Sequence, residues 1–361
     1  MQKSTQLHPN NWSTRFFTIW TGQAVSLFGS ALVQFALVWW LTQKTGSATI
    51  LATAFLVGML PQIVLGPFAG ALVDRWNRRT IMIVADGTIA LFSLLLAWLF
   101  ATGRVEIWHV YVIMAIRSLG GAFHFPAMSA STPLMVPEEQ LTRVNGLNQT
   151  LQGINGLIAP PVGALLLGLF QTQAVLLIDV ATATIAILPL FFISIPQPER
   201  IEESTQPKKP SLLQDVRAAL TYIRNWPGLV SILMMALFLN FLLTPTGALF
   251  PLLVTKHFEK GTLELGLIES VQGIGLLAGG ITLSIWGGFK GRVMSLVNSA
   301  ASAIAPLGLL IAGPLSDWMG IRVWFWAGGL ICMSIGIASF FIPTIIDIEN
   351  NHETSPIPVT Q

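Results

Sequence analysis

The sequence predicts an all-helical membrane protein, an all-α polytopic chain that crosses the bilayer about ten times. Three observations predict it. Hydrophobic residues make up 53% of the chain and charged residues only 10%, against about 25% charged in an ordinary soluble domain. Ten stretches of the sequence reach the roughly 20 mostly apolar residues that a helix needs to cross hydrocarbon. With the N-terminus assigned to the cytoplasm, thirteen of the nineteen Lys and Arg residues fall inside, five fall outside, and Arg117 lies within a span, as the positive-inside bias requires. Both termini are therefore expected in the cytoplasm, with the chain in the inner (cytoplasmic) membrane.

The same composition excludes several functions. A net charge of +2 offers no partner surface for nucleic acid. Cys332 is the single cysteine, so no intramolecular disulfide forms. No phosphate-binding loop and no cluster of metal ligands is present, which excludes ATP-driven transport by this chain and implies no cofactor and no metal. The first span is far longer than the apolar part of a signal peptide, so it is read as a span that is not cleaved.

The expected spans cover residues 16–41, 50–73, 80–101, 108–129, 146–170, 174–192, 229–254, 265–286, 293–312 and 323–343. Tryptophans such as Trp20, Trp39, Trp40, Trp98 and Trp108 gather near their ends, where an aromatic belt belongs. The first span sets Gln23, Ser26, Ser30 and Gln34 on one helical face. That face either lines a polar cavity or is buried against a neighbouring helix. Between the second and third spans runs GPFAGALVDRWNRR, residues 66–79, which carries too many charges for hydrocarbon and so forms a cytoplasmic hairpin. Gly70 is small enough for two helices to approach closely, Asp74 suits a helix N-terminus, and Arg75, Arg78 and Arg79 hold the hairpin inside.

Gly70, Asp74, Arg75, Arg78 and Arg79 resemble the loop between helices two and three of the major facilitator superfamily, whose pattern is Gly-x-x-x-Asp-Arg-x-Gly-Arg-Arg. Asn77 stands where that pattern prefers Gly. With the opening span, the hairpin narrows the resemblance to the drug-exporter branch typified by macrolide-efflux proteins and the enterobactin exporter, over nearly the whole chain. The resemblance implies twelve helices in two six-helix bundles and a gating role for the hairpin, with Asp74 facing the N-terminus of a helix that begins near Arg292. The plainer alternative is a basic loop that only sets topology.

Asp86 in the third span and Asp179 in the sixth are intramembrane carboxylates, costly enough to need a partner or a function. Asp86 lies about 9 Å into its span at 1.5 Å per residue, close enough to pair with the arginine hairpin. Arg117, with Gly120 and Gly121 beside it, resembles the family's fourth-helix motif, in which an Arg is linked to proton coupling. His124 follows on the same face at i+7, and a lone His on such a wall is commonly only a hydrogen-bonded polar residue. The fifth span carries Asn145, Asn148, Gln149, Gln152 and Asn155 on one face and then APPVG at residues 159–163, which resembles a drifted antiporter motif and implies a bent, cavity-lining helix.

Residues 196–209 read as a linker rich in Pro, Glu, Ser and Lys. Residues 211–225 open with a Ser-x-x-Gln capping box and read as an amphipathic helix on the cytoplasmic leaflet. The second half begins with a proline-broken stretch holding Asn240, then reaches Glu269 and Gln272 on one face. Glu269 is its only intramembrane acid and the candidate for proton exchange, with Arg117 setting the field. Residues 292–308 echo residues 143–163, four residues shorter, as transporters built from related halves do. GGFKGRV, residues 287–293, joins what resembles the end of helix eight to the start of helix eleven, so helices nine and ten are missing. The organisation expected is a six-helix bundle at 1–195, a linker with its amphipathic helix at 196–228, a four-helix bundle at 229–343 and a disordered cytoplasmic tail at 344–361.

The function this implies is proton-coupled export of a lipophilic small molecule or drug by a secondary transporter, not an enzyme. Its candidate cavity residues are Gln23, Gln34, Asn148, Gln152, Asn240, Gln272 and Asn298. The competing class is a truncated remnant or membrane scaffold of the same fold. Ser295, Asn298, Ser299 and Ser302 form a polar face next to the gap, which the N-terminal bundle, membrane lipid or a second copy in a homodimer must cover.

Overall fold

The computed structural model describes residues 11–197, 227–286 and 304–339, together with Phe341. All regular structure among them is helical. Six helices come first: α1 (Trp12–Thr45), α2 (Ala48–Arg75), α3 (Arg78–Ala101), α4 (Ile107–Met135), α5 (Glu138–Leu169) and α6 (Thr172–Phe192). Four follow: α7 (Pro227–Leu252), α8 (Thr262–Trp286), α9 (Ala305–Met319) and α10 (Ile321–Ser339). Eight of these, all but α8 and α9, hold a described stretch long and apolar enough to cross a membrane.

The turns between the first six helices are short, and side-chain or backbone caps end several of them. Gly46 closes α1 at φ +57, its N–H donating to the Thr42 carbonyl, and such a left-handed cap favours glycine. Ser47 then caps α2, its hydroxyl accepting from the Ile50 N–H. Asn77, the residue that departs from the family pattern, caps α3: its side-chain oxygen accepts from the Thr80 N–H at 3.2 Å. A glycine there would leave that donor without a side-chain acceptor. Glu106 and His109 cap α4 reciprocally.

Two expected boundaries move. The helix expected at 293–312 is described as α9 from Ala305, with Pro306 in its first turn, and it runs on to Met319. Proline is tolerated at that position because a helix start has no partner for its N–H anyway. The proline-broken stretch around Asn240 lies inside one continuous α7, and the departure from α geometry comes after Pro251, in a π-helical turn at Leu253–His257. The linker, its amphipathic helix, Arg292, the polar face with Asn298 and the tail lie outside the described residues.

The chain forms two compact units, Met1–Pro198 with Phe250–Gly287, and Glu199–Leu249 with Gly288–Gln361. In the first, α1 lies against α6, α2 against α4, α3 against α4 and α6, and α5 against α8. Small residues set these approaches. A Cβ on Gly22 would stand 3.2 Å from the Ala186 Cα and the Ile185 carbonyl, and one on Gly29 would meet Thr182, so α1 and α6 touch backbone to backbone. Gly266 and Gly273 of α8 similarly press on Pro160 and Gly156 of α5. In the second unit α9 packs on α10. The echo between 143–163 and 292–308 has a physical counterpart in its described part. Gly163 of α5 packs against Phe35 of α1, and Gly308 of α9 packs against Phe241 and Pro245 of α7, each within its own unit.

Candidate functional site

The polar interior of the first unit is built in two layers. Helices α1, α3 and α4 each place two polar residues seven apart facing the bundle interior: Gln23 and Ser30, Asp86 and Ser93, Arg117 and His124. Two turns of helix carry a side chain about 10.5 Å along the axis with little rotation. Helix α6 keeps the same register with Asp179 and Ala186. The antiparallel packing then brings Ser30, Ser93, Arg117 and Asp179 together in one layer, and Gln23, Asp86 and His124 in the other.

The charged layer is closely tied. Arg117 Nη1 lies 2.6 Å from Asp179 Oδ2, with the carboxylate side chain 0% exposed. The same Nη1 donates to Ser93 Oγ at 2.9 Å, and Ser93 Oγ donates in turn to Asp179 Oδ2 at 2.8 Å. Ser30 Oγ donates to Asp179 Oδ1 at 3.1 Å, and Arg117 Nη2 donates to the Ser30 carbonyl at 3.3 Å. Four helices thus converge on one ion pair, and each carboxylate oxygen is bonded, the condition under which a buried pair survives its desolvation.

The second layer lies nearer the 66–79 hairpin. Gln23 Nε2 donates to Asp86 Oδ2 at 3.1 Å, which turns the amide oxygen toward His124, whose Nε2 stands 2.9 Å from it. His124 Nε2 is also 3.4 Å from Asp86 Oδ1. Asp86 therefore takes its partners from α1 and α4 and not from the arginine hairpin. The reason is direction: Asp86 is two turns inside α3 and faces the interior, whereas the arginines reach elsewhere. Gln23 faces the same interior. It is 3% exposed, and its amide is engaged at both ends inside the bundle.

The hairpin arginines clamp helix ends of their own bundle. Arg78 donates to the Ala130 carbonyl of α4 at 2.9 Å and pairs with Asp74 at 3.5 Å, while Arg79 donates to the Phe191 carbonyl of α6 at 2.7 Å. Cations at helix C-terminal carbonyls are favoured by the helix dipole. Asp74 is exposed and Arg75 sits beside it at the end of α2. A Cβ on Gly70 would meet nothing within 4 Å, and the helix start near Arg292 that Asp74 is expected to face is outside the described residues.

The other expected residues are dispersed. Asn148 accepts from the Trp20 indole at 2.7 Å, tying α5 to α1. Gln34 and Gln152 are exposed on α1 and α5. Glu269 lies half-buried on α8, one turn from both Gly266 and Gly273 where α8 meets α5, and has no hydrogen-bonding or ionic partner among the described residues, while Gln272 beside it is exposed. The Arg117 guanidinium is engaged by Asp179 and is not paired with Glu269. Asn240 of the second unit donates to the Ala236 carbonyl of its own helix. No group of His, Cys, Asp and Glu among the described residues is arranged to hold a metal ion. Sequence reasoning missed Ser93, and it read His124 as a hydrogen-bonded residue without naming its partners, Gln23 and Asp86. The signal was the i, i+7 recurrence on α3 and α4, legible on each helix alone.

Comparison with known proteins agrees with this architecture. The chain is 37% identical over 330 residues to macrolide efflux protein A of Streptococcus pyogenes, covering 88% of this chain and 80% of that one. It is 23% identical over 395 residues to the multidrug efflux pump Tap of Mycolicibacterium fortuitum, covering 89% of this chain and 94% of that one. The latter alignment is longer than the 361 residues of the chain, so that pump holds stretches with no counterpart here. A crystal structure of a mutant of the nucleoside transporter NupG superposes with a TM-score of 0.65 at 12% identity, over 95% of this chain and 100% of that one, a likeness of fold alone. The model of the Major Facilitator Superfamily matches residues 19–352. With helices long and apolar enough to span a membrane and a charged layer inside their bundle, this chain is a multi-pass membrane protein and belongs to the Major Facilitator Superfamily, a family of transporters and not of enzymes.

Proposed function

We propose that the chain exports a lipophilic small molecule in exchange for protons, with both termini cytoplasmic and the 66–79 hairpin acting as the cytoplasmic gate. One observation carries the reading: charged and titratable side chains are stacked inside a bundle whose relatives are named as efflux pumps. Ionisable groups inside a membrane bundle are retained for function by default. Gln34, Gln152 and Gln272, three of the exposed polar groups on the helices of the first unit, are the proposed substrate contacts, with Glu269 as a further carboxylate of the cycle. The distribution of Lys and Arg supports the orientation.

The test uses inverted membrane vesicles that hold a proton gradient reported by a quenched acridine dye. Adding erythromycin, as a macrolide probe, should discharge the gradient in vesicles with the chain and not in vesicles without it. A second reading is a non-transporting scaffold, favoured by the stretches of the relative that this chain lacks. Under it, neither erythromycin nor ethidium, a lipophilic cation, changes the gradient.

A further inference from the structure

We propose that Gln23, Asp86 and His124 form the proton-carrying site of this chain, with the proton taken up on His124 Nδ1, while Arg117 and Asp179 stay a fixed pair. The inference rests on the reading of the chain as a proton-driven exporter for its role in the cycle, but the proton site itself stands on geometry alone.

The hydrogen bonds fix the imidazole tautomer. An amide oxygen accepts and cannot donate. Gln23 Nε2 donates to Asp86, so Gln23 Oε1 faces His124 Nε2 at 2.9 Å, and that nitrogen must carry a hydrogen. In the neutral ring Nδ1 is then a bare acceptor, and it meets no partner among the described residues. That nitrogen is where a proton arrives. Before uptake the layer holds one carboxylate and a neutral imidazole, a net charge of minus one. After uptake it holds a carboxylate and an imidazolium whose Nε2 lies 3.4 Å from Asp86 Oδ1, a net charge of zero. No bond other than N–H forms, and the proton leaves by the reverse step.

The surroundings leave this exchange to the pair. Helix α1 presents neutral Gln23 at this level, α3 presents Asp86, and α6 presents Ala186. Helix α2 has no titratable side chain between Ile50 and Val73. On α4 and α6 the next charges are Arg117 and Asp179, two turns away and satisfied by each other. Toward the hairpin, Arg78 is held by the Ala130 carbonyl and Asp74, and on α5 Glu138, Glu139 and Arg143 belong to its first two turns. An arginine never gives up its proton in proteins, so the charged layer is a poor carrier. Imidazole is the side chain whose ordinary titration falls between about pH 5 and 8.

Nitrogen-15 NMR of the purified full chain in lipid nanodiscs tests the site directly. In a variant with His8, His109, His257 and His352 all changed to Gln, His124 is the sole imidazole, and the site itself is untouched. The expected result is a neutral form protonated on Nε2 that gains its second proton on Nδ1 as the pH is lowered. A ring that keeps one state at every pH at which the chain stays folded, or a neutral form protonated on Nδ1, overturns the proposal. The carrier role is read in proteoliposomes with radiolabelled erythromycin. His124→Gln and Asp86→Asn should lose accumulation driven by a proton gradient, falling to the ionophore-treated level, yet keep counterflow without a gradient. Full gradient-driven accumulation by His124→Gln refutes the carrier role even if the ring titrates. A wild-type chain that moves no erythromycin overturns the exporter reading and the carrier role with it, and the NMR titration alone then decides the proton site.

Discussion

The two polar layers of the first unit sit on the same helices, two turns apart, and differ in one element of chemistry. In one the cation is a guanidinium, in the other an imidazole. A guanidinium cannot be discharged, so its carboxylate must be bonded at every oxygen, and Ser30 and Ser93 do this. An imidazole can be neutral, so its layer tolerates a looser arrangement, with a neutral amide between ring and carboxylate. The lesson is that the same backbone register supports a permanent tie and a titratable one, and that side-chain choice alone separates them.

The largest effect expected from breaking this comparison is at Asp179. Asp179→Asn leaves the Arg117 charge without its carboxylate, and removing one partner of a buried pair costs about 3–5 kcal/mol. Unfolding in detergent should show that loss, and the double change Arg117→Met with Asp179→Leu should recover most of it, because an apolar pair carries no uncompensated charge. In the other layer, Asp86→Asn leaves a polar group that still accepts from Gln23, so about 1–3 kcal/mol is expected. If Asp86→Asn costs as much as Asp179→Asn, the distinction between the layers fails.

How much of this was legible in the sequence follows from what each signal measures. Hydropathy and the Lys and Arg distribution mark the spans because the bilayer acts on each helix separately. Arg117, Asp86 and Asp179 stand out for the same reason: a charge in a span is costly wherever its partner is. Their pairing was not legible. Asp86 is near the hairpin along the chain, so the hairpin arginines are the natural sequence partners, but helix direction turns Asp86 to Gln23 and His124. The register between antiparallel helices is set by Gly22, Gly29 and Gly120, which fix how closely and at what height α1, α3, α4 and α6 meet. One sequence shows such glycines without naming the atoms they face. Asn77 is similar: its departure from the family pattern makes sense only once its side chain is seen to cap α3.

Gly120 tests the spacing of the layers at smaller cost. It lies between Arg117 and His124 on α4, and a Cβ there would stand 2.8 Å from Ile89 Cδ1 of α3. The obstacle is the end of a flexible side chain, so Gly120→Ala should cost about 0.5–1.5 kcal/mol as Ile89 leaves its rotamer. Ile89→Val removes Cδ1 and should restore stability in the double variant. If it does not, the two helices are held apart by backbone and not by that side chain.

The smallest effect is expected at Glu264, an exposed carboxylate that gives the two buried ones a reference. It lies just before the span of α8, and its Oε2 accepts from the Gly261 N–H at 3.0 Å. Backbone hydrogen bonds, its own N–H first and that of Gly261 next, hold its carboxyl below the usual carboxylate range. A carboxylate depressed on folding stabilises the folded chain above its unfolded value, and that contribution is lost as pH falls through the folded value. Glu264→Gln should therefore melt slightly below the wild type at pH 7, and the two curves should converge in acid, below about pH 4. This window is separate from the one in which an imidazole titrates, near neutrality. A melting profile measured from acid to neutral pH should therefore show a small acid step that Glu264→Gln removes. If the two curves stay apart in acid, the Gly261 hydrogen bond and not the charge of Glu264 carries the difference.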